Sequence, residues 1–218
     1  MISRVEHFDS LDDISGIVAC FLSRVDGLDL NVEREEALKL LAPIYADTMS
    51  DEGFDADDVV YAEQVHENTI YAVGRDDLGE TLPDCDGLMT DKPGVPLGVY
   101  VADCAAIYLV DPVHHAIALL HSGRKGTESE ILRNAVEMME DEYGTHPGDL
   151  VMVISPCIRP PHYEVDIAGM IREQAETLGI KNIEDSGECT ASNLKRYYSY
   201  RMEKGKTGRM LALLQIEE

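Results

Sequence analysis

From Val59 onward the chain is written in short apolar runs of strand character. VVYAEQV (59–65), TIYAVG (69–74), DGLMT (86–90), LGVYVAD (97–103), AIYLVD (106–111), AIALLH (116–121) and LVMVIS (150–155) are rich in β-branched or aromatic residues, with Gly, Pro, Asp or His at their borders. Two stretches keep the helical period instead. ESEILRNAVEMMEDEYG (128–144) sets Ile131, Leu132, Ala135, Val136, Met138 and Met139 along one broad face, with Gly144 placed as a C-cap. DIAGMIREQAETLG (166–179) ends on Gly179 in the same way. Nearer the N-terminus, NVEREEALKLLAPIY predicts a helix over 32–45 that stops near Pro43, and DTMSDEGFDADD (47–58) reads as an acidic surface loop. RMLALLQIE (209–217) predicts a final strand. Strands outnumber helices and mix long buried runs with hairpin-like spacing. The expected fold is therefore α+β (mixed α/β): one domain over residues 1–218, with mixed β-sheets and helices on the outside.

Composition narrows the partners. With 42 acidic against 18 basic residues the net charge is −24, which opposes binding to nucleic acid or to an anionic membrane surface. An anionic small molecule then needs a local basic cluster. No stretch reaches the roughly 18 unbroken apolar residues of a membrane span. The first residues, MISRVEHFDS, lack the layout of a signal peptide, so the expected location is cytoplasmic. Five cysteines (20, 85, 104, 157 and 189) form no CxxC pair and suggest buried thiols rather than a disulfide framework. Cys104 stands apart, because Asp103 precedes it and an apolar run stops there.

Three of the apolar runs close on soft metal ligands: His66, Cys104 and His121. Groups at strand ends face the ligand in α/β proteins. Two imidazoles and a thiolate leave one tetrahedral position open, the ligand count of a catalytic zinc site. The wide spacing among them also differs from the close pairs of structural zinc sites. Two plainer accounts fit the same residues: satisfied strand-end histidines beside a core thiol, or a cysteine nucleophile activated by a nearby imidazole.

Motifs spread over residues 59–216 carry a further signal. They are QVH (64–66), DCDGLMTDKPGVPLGVYVADCAAIYLVD (84–111), ALLHSGRKGT (118–127), SPCIRPPHYEVD (155–166) and ECTASNLKRYYSYRMEKGKTGRM (188–210). In this order they resemble the YfiH/laccase-domain family of purine nucleoside phosphorylases, formerly called multicopper polyphenol oxidases. The resemblance implies a layered sandwich of the YfiH-like type and a single Zn2+ held by His66, Cys104 and His121, the same three residues carrying catalysis. It also implies phosphate-dependent cleavage of adenosine or inosine to free base and ribose 1-phosphate, with adenosine deaminase and methylthioadenosine phosphorylase activities beside it. Nucleoside and phosphate would be the partners of a monomer or small homo-oligomer. Arg124, Lys125, Arg209 and Arg24 are the expected phosphate and substrate contacts, with Arg201 a further cation.

The family's other labels imply a peptidoglycan-precursor editing hydrolase or a copper-dependent polyphenol oxidase, and the chain's departures from the family pattern admit a zinc-binding remnant without turnover. Copper is disfavoured by seven histidines that form no HxH pair. The chain departs from the family pattern after HSG, where Arg124 and Lys125 replace the usual Trp and Arg, and at Ala106 and His162. The glycine-rich N-terminal loop is reduced to SRVDGLDLN (23–31), with Arg34 near a family Asn-Arg pair. Asp103 is a candidate orienter of a metal histidine or a solvated strand-end residue, and Asp86 could face the pocket.

Overall fold

The computed structural model describes residues 3–218. The first half of the chain contains β1 (Ser3–Glu6), α1 (Asp9–Asp12), β2 (Ile17–Val25), α2 (Arg34–Asp51), β3 (Val60–Ala62), β4 (Ile70–Ala72), β5 (Thr81–Leu82), β6 (Gly87–Thr90) and β7 (Leu97–Val101). After these come β8 (Ala105–Asp111), β9 (Ala116–Ser122), α3 (Arg124–Glu128), α4 (Ile131–Tyr143), β10 (Val151–Ile154), α5 (Ile167–Leu178), β11 (Asn182–Asp185) and β12 (Met210–Ile216).

The strands form two mixed six-stranded sheets, ordered β1-β2-β12-β7-β3-β5 and β11-β10-β8-β9-β6-β4. The fold is thus mixed α+β, with sheet packed on sheet and helices outside. Every residue of β8 and β9 is buried, as both faces of a central strand must be when layers cover each side. Alternation then divides the side chains of β8. Tyr108 and Val110 join the core between the sheets, while Ile107 and Leu109 pack with Leu132, Val136 and Ile171 of α4 and α5. The Tyr108 hydroxyl crosses the intersheet layer to donate to the Cys20 carbonyl at 2.8 Å. Gly144 and Gly179 both take left-handed backbone at the ends of α4 and α5, as their sequence placement predicts.

The structure adds β1, β5, β11, α1 and α3, which the apolar pattern did not announce, and three further differences bear on the site and the core. Helix α2 runs through Pro43 to Asp51, taking in residues read as loop, because Ala37, Leu41, Tyr45 and Met49 keep an unbroken buried stripe. Proline removes one helical hydrogen bond, but Pro43 lies on the exposed side and the stripe outweighs that loss. The N-terminal region contains β2, a nine-residue strand pairing with both β1 and β12. Its apolar run IVACFL was the available signal. Finally, β3 stops at Ala62, so His66 stands in the loop beyond it. No helix among the described residues is long and apolar enough to cross a membrane.

Candidate metal centre and its cavity

His66, Cys104 and His121 converge. Their ligand atoms all lie within 4.8 Å of one another. Each arrives from a different piece of backbone: the loop after β3, the turn joining β7 to β8, and the end of β9. The two imidazole rings meet edge to face at 4.8 Å. Gly123 makes room for them, since a Cβ there would lie 2.7 Å from Cys104 Sγ and 3.6 Å from His66 Cδ2.

Asp86 assembles this centre. Gln64 and His66 adopt left-handed backbone, φ 69° and 65°, which turns successive N–H groups inward. Val65, His66 and Glu67 donate their N–H groups to the Asp86 carboxylate at 3.1, 2.9 and 2.8 Å. The same carboxylate accepts from His121 Nδ1 at 2.7 Å, leaving Nε2 as the ligand nitrogen. Burial alone would raise the Asp86 pKa, but the hydrogen bonds from His121, Glu67 and His66 hold it below the ordinary value.

The three donors are electrostatically coupled. Burial pushes the Cys104 thiol up, yet the His121 charge and hydrogen bonds from both histidines bring it down to about 6. Burial lowers His121, but the Cys104 thiolate and Asp86 raise it to about 9. Both shifts favour the thiolate–imidazolium form of the pair when no metal is bound. An oriented histidine, a low-pKa thiol, a second histidine and a glycine cradle fit a metal ion bound by one sulfur and two nitrogens.

The centre lies in a cavity of about 620 Å³, within the size range of small-molecule sites. Tyr100, Ile158, Tyr163, Ile167 and Tyr200 supply apolar and aromatic surface, and Gln64 is held in place by paired hydrogen bonds with the Tyr100 backbone. Against the acidity of the whole chain, the cavity is lined by Arg34, Arg124, Arg201, Lys204 and Arg209.

Asp103 lines the cavity too, but it orients no histidine. It is buried, with φ 81°, and accepts from Thr190 Oγ1, Ser199 Oγ and the Arg201 N–H at 2.6, 3.0 and 2.7 Å. The orienting role belongs to Asp86. Two of the cations expected at the site lie elsewhere. Arg24 is outside the lining: it pairs with Glu203 at 2.6 Å and stacks over Tyr198 at 4.3 Å. Lys125 is exposed and also absent from the lining, because it follows Arg124 around the first turn of α3. Arg124, Arg201 and Arg209 do reach the cavity. Gln64, Tyr100, Tyr200 and Lys204 join it from within the motifs, where residue chemistry alone did not single them out, and Arg34 arrives from the start of α2.

The family described as multi-copper polyphenol oxidoreductase laccase matches residues 23–168 and 162–217. A protein named purine nucleoside phosphorylase YlmD, from Bacillus subtilis, is 29% identical over 73% of this chain and 71% of its own length. Purine nucleoside phosphorylase SACOL1200 from Staphylococcus aureus is also 29% identical, over 74% of each chain. Among solved structures, YlmD from Geobacillus stearothermophilus superposes with a TM-score of 0.83 at 25% identity, covering 94% of this chain and 93% of that one. YfiH from Bacillus licheniformis has the same fold, with a TM-score of 0.85 at 24% identity over 94% and 95% of the two chains.

Proposed function

This chain belongs to the multi-copper polyphenol oxidoreductase laccase family, and within that family we propose that it is a zinc-dependent purine nucleoside phosphorylase. The observation that carries this reading is the single His66, Cys104 and His121 group on the wall of a nucleoside-sized cavity. The names of the relatives from Bacillus subtilis and Staphylococcus aureus support the reaction class. Among the described residues this is the one group of three such donors, which suits one ion rather than the several coppers of a multicopper oxidase.

In the proposed reaction an oxygen of phosphate bonds to C1′ of inosine or adenosine as the bond from C1′ to the purine nitrogen breaks. The bonding pair leaves with the base, which takes up a proton, and the sugar departs as ribose 1-phosphate. Zinc, when bound, supplies Lewis acidity and positive charge to the cavity wall. The chain supplies the rest. Asp86 holds the His121 tautomer and the His66 loop, so that the donors are already gathered on one wall of the cavity. Tyr100, Ile158, Ile167 and Tyr163 offer apolar surface for a purine, and the cavity's guanidiniums that no carboxylate engages counter the anionic co-substrate.

The test is to determine the metal content of the purified protein and incubate it with inosine and adenosine, with and without phosphate. We expect about one zinc per chain, phosphate-dependent release of free base, and loss of both in Cys104→Ala. A fully metallated protein that releases no base overturns the reading. Inosine formed from adenosine without phosphate identifies a deaminase instead.

A further inference from the structure

The guanidinium groups of the cavity divide by whether a carboxylate neutralises them. Arg201 donates to Glu164 Oε2 at 3.1 Å and stacks over Tyr163 at 4.9 Å. Arg124 donates to Glu128 Oε1 at 2.8 Å and lies 4.0 Å from Glu164. These two are tied into surface ion pairs.

Arg34 and Arg209 are different. Among the described residues neither has a carboxylate oxygen within 4.0 Å. Arg34 reaches only the Glu63 carbonyl, at 3.3 Å. Arg209 NH1 is anchored on the Thr207 and Gly208 carbonyls at 2.8 and 3.0 Å, contacts that hold the group still without cancelling its charge. Both line the cavity with Cys104 and His121. They are close enough to interact unfavourably: burial and the Arg34 charge lower the Arg209 pKa, while Tyr200, Cys104 and Asp103 oppose the shift. In a chain with 42 acidic and 18 basic residues, a carboxylate partner for each is easily supplied. The partly buried Arg209 instead faces a second cation, a juxtaposition that an anion bound between the two would relieve.

We propose that Arg34 and Arg209 together form an oxyanion subsite beside the His66, Cys104 and His121 centre, and that its ligand is inorganic phosphate. Two planar donor forks suit a tetrahedral oxyanion, which can accept from both at once. Arg124 and Arg201, already engaged by carboxylates, lie outside this subsite. The choice of phosphate rests on the phosphorylase reading. The 5′-phosphate of a nucleotide has the same chemistry, so both probes are needed.

The metal-loaded protein is titrated calorimetrically with inorganic phosphate and, separately, with inosine 5′-monophosphate, in the wild type and in Arg34→Gln, Arg209→Gln and Arg124→Gln. Each of the first two substitutions is expected to weaken inorganic phosphate binding about tenfold or more, as for loss of a charged hydrogen bond. Arg124→Gln is expected to change it less than about twofold on the same scale. Arg209 also braces local backbone, so Arg34→Gln, on an exposed side chain, is the variant that separates binding from folding.

Wild-type affinity in Arg34→Gln overturns the proposal. So does a wild-type protein that binds no phosphate, or phosphate binding that ignores both arginines and vanishes on metal chelation. Weakened monophosphate binding with inorganic phosphate binding unchanged overturns the choice of ligand. Phosphate bound through these arginines by a protein that releases no base leaves the subsite standing and refutes the phosphorylase reading. Phosphorolysis indifferent to both substitutions does the reverse.

Discussion

A methyl group at position 123 would lie 2.7 Å from the Cys104 sulfur, and one of the two must move. The φ of Gly123 is an ordinary −87°, so the requirement is space rather than backbone freedom. Gly123→Ala should therefore leave the fold in place, as judged by circular dichroism, while lowering metal content measured on the purified protein. Retention of full metal content would show that the cradle is dispensable. Cys104 gives a second test at this scale. Burial raises its pKa, but His121 and His66 bring it to about 6, so the metal-free protein carries mainly thiolate at neutral pH. Alkylation of Cys104 in that protein, followed by mass spectrometry, should rise with pH around a midpoint near 6 rather than the ordinary value of about 8.5. His121→Gln removes the dominant favourable charge and should move that midpoint up. The sequence showed the three donors plainly, but the space that Gly123 leaves for them emerged only in the fold. It could not show the coupling, which depends on residues brought together by packing.

At the scale of elements, the turn between β7 and β8 does two jobs. Cys104 faces His66 and His121 in the candidate metal centre, and Asp103 beside it fastens the segment that carries Thr190, Ser199 and Arg201. Asp103→Asn keeps the shape but weakens three hydrogen bonds to a carboxylate, each worth about 1.5–3 kcal/mol. The expected result is a several-fold higher KM for nucleoside with unchanged zinc content. An unchanged KM would show that the segment holds its position without this clasp. Helix α2 offers a contrasting case. Pro43 sits on its exposed side and denies the helix one hydrogen bond, so Pro43→Ala should stabilise the protein by about 1 kcal/mol or more in urea unfolding. The sequence rule that proline stops helices failed here because the buried stripe Ala37, Leu41, Tyr45 and Met49 continues on the other face. Strand β2 was missed for a related reason. Its role is defined by β1 and β12 on either side, and β12 is nearly the full chain length away.

For the whole molecule, acid stability follows from carboxylates held in the charged form. Burial would raise Asp185, but Arg159, the Gly187 N–H and Arg172 outweigh it and keep its pKa below the ordinary value. A lowered folded-state pKa means stability that is present above about pH 4, the unfolded value, and lost as pH falls through the folded one. Asp185→Asn should therefore lower the urea midpoint near neutral pH, and the difference from wild type should close as pH drops below about 3. A constant difference down to that pH would place the contribution in shape rather than charge. Other features were legible at this scale from the chain alone. Alternating and continuous apolar runs announced the two-sided burial of β8 and β9, glycines marked the ends of α4 and α5, and the ordered motifs pointed to His66, Cys104 and His121. These depend on local period and residue chemistry, which a linear sequence carries. Tertiary structure alone decided that Asp86 rather than Asp103 orients His121, that Arg24 and Lys125 lie outside the cavity, and that Arg34 enters it beside Arg209. Such assignments turn on a few ångströms between residues distant in the chain, and those distances exist only once the two sheets have packed.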